Sequence, residues 1–391
     1  MPDKDADGLS SGMILYKTLL LLGLPAELLT AHLLEKGETV HSARESERMS
    51  DSNPGYIFVL DQGSRASDPL IPSQHTCLVI DHHHATPDDF PKDSHHVNAS
   101  AYPPVATSSL LTYEICKPLH PDVATKTAWL CCIGTQGDLG SSIVWAPPFP
   151  DMAATHKQYT KKGITDAVSM LNAPRRTATF DVITAWDALL AASESDGGPK
   201  AVAKDRRLME ARAEINEEVE RCTHTAPKFS KDGRVAVFRI RSEAQVHPLI
   251  ATRWANHLNS KALEVIMCAN SGHLPDKVNF SCRVSRVARA RRSAAGEEDI
   301  NIIEILKEYA REHESGNLIE RMGESFARGH KQASGGIVAA QEFEDLMSIM
   351  RVGEKPDSKA GDEGKSPAKK KSNGVGESPQ KNTLANYFGK K

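Results

Sequence analysis

Two apolar runs, Tyr56-Ile57-Phe58-Val59-Leu60 and Thr76-Cys77-Leu78-Val79-Ile80, are continuous rather than alternating in polarity. Runs of that length and β-branched content predict strands buried on both faces, as in a parallel sheet covered by helices. Each run stops on a side chain able to bind a cation: Asp61 after the first, Asp81-His82-His83 after the second. Between and around them the polarity repeats with helical period. Leu9 to Leu22 predicts a helix and Leu29 to Leu34 a short strand. Thr107-Ser108-Ser109 caps a helix reaching Cys116, a further helix covers Thr125 to Ile133, and helices continue to about Ala192. Asp205 to Cys222 is a charged helix with a narrow apolar stripe (Leu208, Ala211, Ile215, Val219, Cys222), suited to bridging two domains.

A second alternation begins at Arg234. Strands are expected at Arg234–Ile240, Leu263–Met267 and Val278–Arg283, with helices at Pro248–Leu258, Ile300–His313 and Gln341–Met350. After Gly353 the chain is almost entirely Lys, Ser, Pro, Gly, Asp and Glu, a composition that buries too little apolar surface to order itself. The expected organisation is thus an α/β catalytic domain (1–190), a helical linker (191–230), a smaller α/β domain (231–352) and a disordered tail (353–391). With 391 residues, two cores are the natural expectation.

The formal charge of -3 announces no bulk affinity for nucleic acid, so any such binding rests on local patches. Seven cysteines, with no Cys-x-x-Cys pair, argue against a disulfide scaffold or a zinc knuckle. No stretch reaches membrane-spanning length, and the apolar Met13–Leu22 follows three aspartates, unlike a signal peptide.

The chemistry lies in four clusters: Asp3, Asp5 and Asp7; Asp61; Asp81-His82-His83; and Asp138, which follows Cys131 to Gly137. Asp3 to Gly8 shares the opening of a calcium loop, but Ile14 stands where that loop needs a bidentate glutamate. Carboxylates mixed with imidazoles suit a pair of divalent ions, manganese better than calcium or magnesium, and the spacing leaves zinc and iron open.

These motifs resemble the DHH phosphoesterase superfamily, which includes RecJ-like exonucleases, oligoribonucleases and inorganic pyrophosphatases. The resemblance covers roughly residues 3–350. Asp3 to Gly8 is similar to the first motif, Asp61 to the second, Asp81-His82-His83 to the third, and Gly134-Thr135-Gln136-Gly137-Asp138 to the fourth. It implies that Asp5, Asp7, Asp61, His82 and Asp138 hold two Mn2+ ions (Mg2+ as the alternative), with Asp61 bridging and Asp3 as a further candidate. Asp81 and His83 would orient ligands or touch the phosphate as catalytic residues. Gly329-His330-Lys331-Gln332-Ala333-Ser334-Gly335-Gly336 resembles the signature of the DHH-associated C-terminal domain, and Ser281-Cys282-Arg283 its accompanying Ser-x-Arg. Substrate binding by Ser281, Arg283, Gly329, His330, Ser334 and Gly335 follows, Arg283 gripping a phosphate bidentately. Arg286, Arg289, Arg291 and Arg292 continue the basic stretch and suit either a nucleic-acid backbone or a solvated loop.

In the tail, Leu384, Tyr387 and Phe388 have the spacing of a PCNA-interacting peptide, with Lys381 where glutamine is usual. Lys365 and Lys369-Lys370-Lys371 resemble a nuclear localisation signal. Ser366-Pro367-Ala368-Lys369 and Ser378-Pro379-Gln380-Lys381 resemble proline-directed kinase sites.

The function expected is a nuclear, manganese-dependent phosphodiesterase, an exonuclease on single-stranded DNA or RNA ends that the sliding clamp recruits. The alternatives are a small-molecule phosphatase or short-oligonucleotide hydrolase, and a non-catalytic replication scaffold. The resemblance also places a core strand directly before the first motif, whereas the sequence opens at Met1-Pro2. The expectation is a reading frame that starts one exon late, leaving the first motif poorly anchored. A 5′-extended form should then melt higher and hydrolyse faster than the chain beginning at Met1; equal melting temperature and activity would refute this.

Overall fold

The computed structural model of the protein describes residues 1–355. The expectations for Lys365, Ser366, Lys369 to Lys371, Ser378, Leu384, Tyr387 and Phe388 fall outside them. The chain divides into two compact units, Met1–Glu217 and a second beginning at Glu218.

The first unit runs α1 (Ala6–Leu21), α2 (Ala43–Ser50), β1 (Tyr56–Leu60), β2 (Thr76–Asp81), β3 (Ser94–Asn98), α3 (Ser108–Cys116), α4 (Val123–Leu139), α5 (Ala153–Tyr159), α6 (Lys161–Leu171), α7 (Val182–Glu194) and α8 (Gly198–Lys204). Helix α9 (Arg206–Thr223) carries the boundary between the units. Strands β1, β2 and β3 form a parallel sheet in that order, with Leu60 opposite Ile80 and Ile80 opposite Val97. That register delivers Asp61 and Asp81 side by side at the carboxyl edge, where open α/β sheets carry their sites. Val59 and Val79 are fully buried, as continuous apolar strands require.

Several elements differ from expectation. Leu29 to Leu34 is not a strand: a short 3-10 turn, Ala26–Leu28, precedes an irregular segment whose Ala31 and Leu33 pack against the core. Helix α4 continues six residues past Ile133, which puts Asp138 on its last turn instead of beyond the end of the helix. Strand β3, Ser94-His95-His96-Val97-Asn98, has no apolar run to announce it and exists through backbone pairing with β2. Arg286 to Ala295 is a helix, not a loop.

The first motif is firmly anchored, which corrects the expectation of a loose one. Residues 1–3 run parallel to the end of β1: the Met1 amine donates to Phe58 O (2.7 Å), Leu60 N to Met1 O (2.9 Å) and Asp3 N to Leu60 O (2.9 Å). Among the described residues no full strand precedes that motif. Along the remaining edge of β1 lies an apolar groove of about 510 Å³, lined by Leu15, Leu19, Leu24, Leu28, Tyr56 and Trp186 among others.

The second unit runs β4 (Lys228–Phe229), β5 (Val235–Ile240), α10 (His247–His257), β6 (Val265–Asn270), β7 (Lys277–Val284), α11 (Arg286–Ala295), α12 (Ile302–Arg311), α13 (Leu318–Met322), β8 (Arg328–His330), β9 (Ala333–Ala339) and α14 (Ala340–Ile349). The sheet order is β4-β5-β6-β7-β9-β8, with only β5 and β6 parallel. Alternation divides β7 cleanly. Val278, Phe280, Cys282 and Val284 join the core with Ile305, Leu306, Phe343 and Leu346, while Asn279, Ser281 and Arg283 occupy the opposite face.

The glycine-rich signature is therefore a strand hairpin. A Cβ at Gly335 would lie 2.4 Å from Phe280 O, so this residue lets β9 pack tightly beside β7. Gly335→Ala should destabilise the protein by about 2 kcal/mol, lowering the melting temperature by roughly 5 °C. Gly55→Ala, where an added Cβ meets nothing within 4 Å, is the control; equal melting of both variants would contradict the packing argument.

Candidate metal centre

Helix α1 starts the site. Asp5 caps it, its Oδ1 accepting from Asp7 N (3.1 Å) and Gly8 N (3.3 Å). One turn in, the Asp7 carboxylate is fully buried at the beginning of α3: Oδ2 accepts from Ser108 N (2.8 Å) and Oδ1 from Ser109 N (3.0 Å). Unsatisfied N–H groups at a helix start suit an anion. The space for this exists because α4 carries glycine at the crossing. A Cβ on Gly134 would stand 2.2 Å from Ser109 Oγ and 2.6 Å from Asp7 Oδ1. The glycine of the fourth motif thus makes room for the aspartate of the first.

The two strand ends supply the rest. Asp61 turns off β1 with φ +65°, a left-handed conformation that an aspartate tolerates better than most residues. Its Oδ1 accepts from Ser108 Oγ (2.9 Å) and lies 3.3 Å from His82 Nε2. His82 Nε2 is also 2.9 Å from Asp138 Oδ2 on α4. Asp81 points the other way. It accepts from the backbone His82 N (2.8 Å) and Ser64 N (3.2 Å) and from His83 Nδ1 (2.8 Å), and so orients the His83 imidazole.

Ligand-capable atoms fall into three groups, each within 4.8 Å: Asp61, His82 and His83; Asp7, His82 and Asp138; Asp3, Asp5 and Asp61. All seven side chains marked in the first, second, third and fourth motifs as metal-binding or catalytic, apart from the aligning Asp81, belong to at least one group. His83 thereby joins the ligand-capable set, with Asp81 as the hydrogen-bonded partner that fixes its ring.

The electrostatics match a cation site. Burial and the facing Asp138 push the Asp7 carboxyl up to about 6. Burial, then Asp7 and Asp5, push Asp61 well above the usual carboxylate range. Burial alone would raise Asp5 too, but the Arg175 guanidinium and the Gly8 N–H bring it below. Burial would lower both histidines. The hydrogen bond to Asp81 instead raises His83 to about 9, and the bond to Asp138 with the charge of Asp7 raises His82. Like charges packed into an apolar interior persist when a cation neutralises them, and the donor set, carboxylate oxygens with imidazole nitrogens, fits divalent ions.

Ser108, Ser109 and Arg175 support the site and are not evident as site residues in the sequence. Arg175 lies 3.8 Å from Asp5 Oδ2 and donates through Nε to Asn172 Oδ1 (3.1 Å), which also accepts from Ala6 N (3.3 Å). The capping pattern at Thr107–Ser109 is legible, but the carboxylate it receives comes from about a hundred residues earlier.

In the second unit, register places His330 opposite Ala333 and Ala333 opposite Arg283, while Gly335 lies opposite Ser281. Directly paired residues share a face, so His330, Ser281 and Arg283 lie together on the face opposite Phe280 and Cys282, with Ser281 buried and His330 exposed. Arg283 donates to Ser281 Oγ and to Cys282 O, both at 2.8 Å. Ser334 does not belong with them. It pairs with Cys282 on the core side, is 3% exposed, and donates to Arg328 O (2.9 Å).

A parallel sheet whose carboxyl edge gathers aspartates and histidines defines an α/β protein with side chains able to bind divalent cations. Residues 1–135 match the family model for the DHH family, N-terminal domain, and the chain carries a DHH-family domain. No curated protein matches the sequence. Among solved structures, the DHH domain of a protein described as belonging to a family of ribosomal proteins is similar at 14% identity and a TM-score of 0.57, over 90% of this chain and 84% of that one. A pGpG-specific phosphodiesterase from Vibrio cholerae has 13% identity and a TM-score of 0.40, over 89% and 96%. CDC45 from Entamoeba histolytica has 9% and 0.47, over 90% and 94%. At these identities the likeness to the first concerns the fold.

Metal binding must displace protons held by Asp7, Asp61 and the two raised histidines, so affinity should rise with pH from about 6 to about 9. Calorimetric titration with Mn2+ in buffers of different ionisation enthalpy should report about one or more protons released at pH near 6 and fewer at higher pH. No release at either pH would mean the carboxylates are already ionised, against the burial described here.

Proposed function

We propose that this protein is a manganese-dependent phosphodiesterase acting as an exonuclease on the ends of single-stranded nucleic acid. The supporting observation is the convergence of buried Asp7, Asp61 and His82 with exposed Asp138, from separate segments, onto one site. Two divalent ions bound there would supply an activated water and neutralise charge on the leaving oxygen. The protein's own part is positioning. Ser108 and Ser109 N–H hold the Asp7 carboxylate, and the Ser108 hydroxyl holds Asp61. Asp81 pins His83 through Nδ1, so that the ring's other nitrogen meets either an ion or a phosphate oxygen. In the second unit Arg283, braced by Ser281, offers its guanidinium to a phosphate, with His330 on the same face.

The reading extends to the tail. Leu384, Tyr387 and Phe388 are assigned to binding the sliding clamp PCNA, and the lysines at 369–371 to nuclear import.

The test is the purified full-length protein with Mn2+ and end-labelled DNA and RNA single strands, both ends labelled in turn. Dinucleotide, adenosine bisphosphate and polyphosphate serve as comparison substrates. Progressive shortening of the strands is expected. Asp138→Ala should reduce kcat by more than the roughly 10–100-fold typical of a supporting residue, with clamp binding unchanged. Activity confined to the small substrates would replace this reading with a short-oligonucleotide or small-molecule hydrolase. A folded, Mn2+-loaded protein inert on every substrate would leave the scaffold reading.

A further inference from the structure

Helix α11 begins two residues after β7 ends, and β7 ends on Arg283 and Val284. Val284 N donates to Gln332 O (3.3 Å), and Ile302 N to Lys331 O (2.8 Å), which sets the β8–β9 turn at the same end of the sheet. His330 and Arg283 share one face of that end, Arg283 half-buried and His330 exposed. The start of α11 follows Arg283 by three residues.

The four arginines of α11 divide into two kinds. Arg291 and Arg292 are engaged: both lie within 4 Å of Glu264, and Arg292 reaches Glu297 at 3.0 Å. Arg286 and Arg289 are exposed and have no ion-pair or hydrogen-bond partner for their guanidinium groups among the described residues. Ala288, between them, is fully buried and fixes the helix against the unit, so the two arginines lie on its outer side one turn apart. Residues three apart on a helix have Cβ atoms about 5–6 Å from each other, comparable with the step between neighbouring phosphates of an extended strand. The acids recorded nearby are committed elsewhere: Glu264 to Arg234, Arg291 and Arg292, and Asp299 Oδ2 to Gln332 Nε2 (2.7 Å).

We infer that Arg283, Arg286 and Arg289 form a continuous track for three successive phosphates of a single-stranded nucleic acid. The ligand class is a polymeric strand, which a dinucleotide or an isolated small phosphate is too short to span. This rests on the reading above only in taking Arg283 as a phosphate contact, and its test is separable from catalysis.

Strand binding is measured in the full-length Asp138→Ala background, which keeps the strand intact, by fluorescence anisotropy of a labelled twelve-nucleotide single strand across a salt series. The pair Arg286→Gln and Arg289→Gln should weaken binding about tenfold or more and flatten the log Kd against log salt slope by about 1.4, two single-strand phosphate contacts' worth. Replacing both by lysine should retain most of the slope, since a point charge still neutralises a phosphate. In the Mn2+-loaded enzyme, the glutamine pair should raise KM for the twelve-nucleotide strand while leaving dinucleotide hydrolysis unchanged.

An unchanged slope and affinity in the glutamine pair overturn the track while leaving the enzymatic reading intact. So does a background protein that binds no strand, or an equal loss on strand and dinucleotide. A wild-type protein that cleaves nothing, yet binds the strand with a slope that drops in the glutamine pair, upholds the track and defeats the enzymatic reading.

Discussion

Mutual repulsion among buried carboxylates is the constraint around which the first unit is arranged. Asp7 and Asp61 lie in an interior where a single ionised carboxyl is costly, and they face each other as well as Asp138 and Asp5. The fold counters this with directed donors. The start of α3 offers two backbone N–H groups and a hydroxyl, Gly8 N–H and Arg175 serve Asp5, and His82 bridges Asp61 and Asp138. Such donors hold the carboxylates in place without discharging them.

Rigid placement follows from where each ligand is rooted. Asp61 and Asp81 leave adjacent parallel strands at matched register, Asp7 belongs to a buried helix, and Asp138 sits on the last turn of another. Gly134 sets the approach of those helices, and no larger residue fits between Ser109 and Asp7. Asp81 then holds the His83 ring and the His82 backbone. Sites on strand ends and helices hold geometry better than sites on loops.

The second unit uses the alternation of a β-strand to the same end. One side of β7 is core; the other carries Asn279, Ser281 and Arg283, with His330 from β8 brought alongside by pairing through β9. Gly335 serves close strand packing, and the polar side chains of β7 all lie on the face opposite that core. Ser334, next to Gly335 in sequence, belongs to the core side because successive residues of a strand face opposite ways.

The sequence alone determined the elements that apolar runs and caps announce: β1, β2, the helix opening at Thr107, and most of the second unit's strands and helices. It also determined which residue types could bind metal, since an aspartate or histidine closing a buried strand has few bland uses. It left out what depends on distant partners. Strand β3 is polar and exists through its neighbour's backbone, and Leu29 to Leu34 is apolar yet finds packing without a partner strand. Arg286 to Ala295 looks like a solvated basic loop until Ala288 is seen buried. The pairing of Asp7 with Ser108 and Ser109, the need for glycine at 134, and the separation of Ser334 from Ser281 were decided by tertiary structure. Each depends on register or on the crossing of elements far apart in the chain, and local pattern carries no information about such long-range contacts.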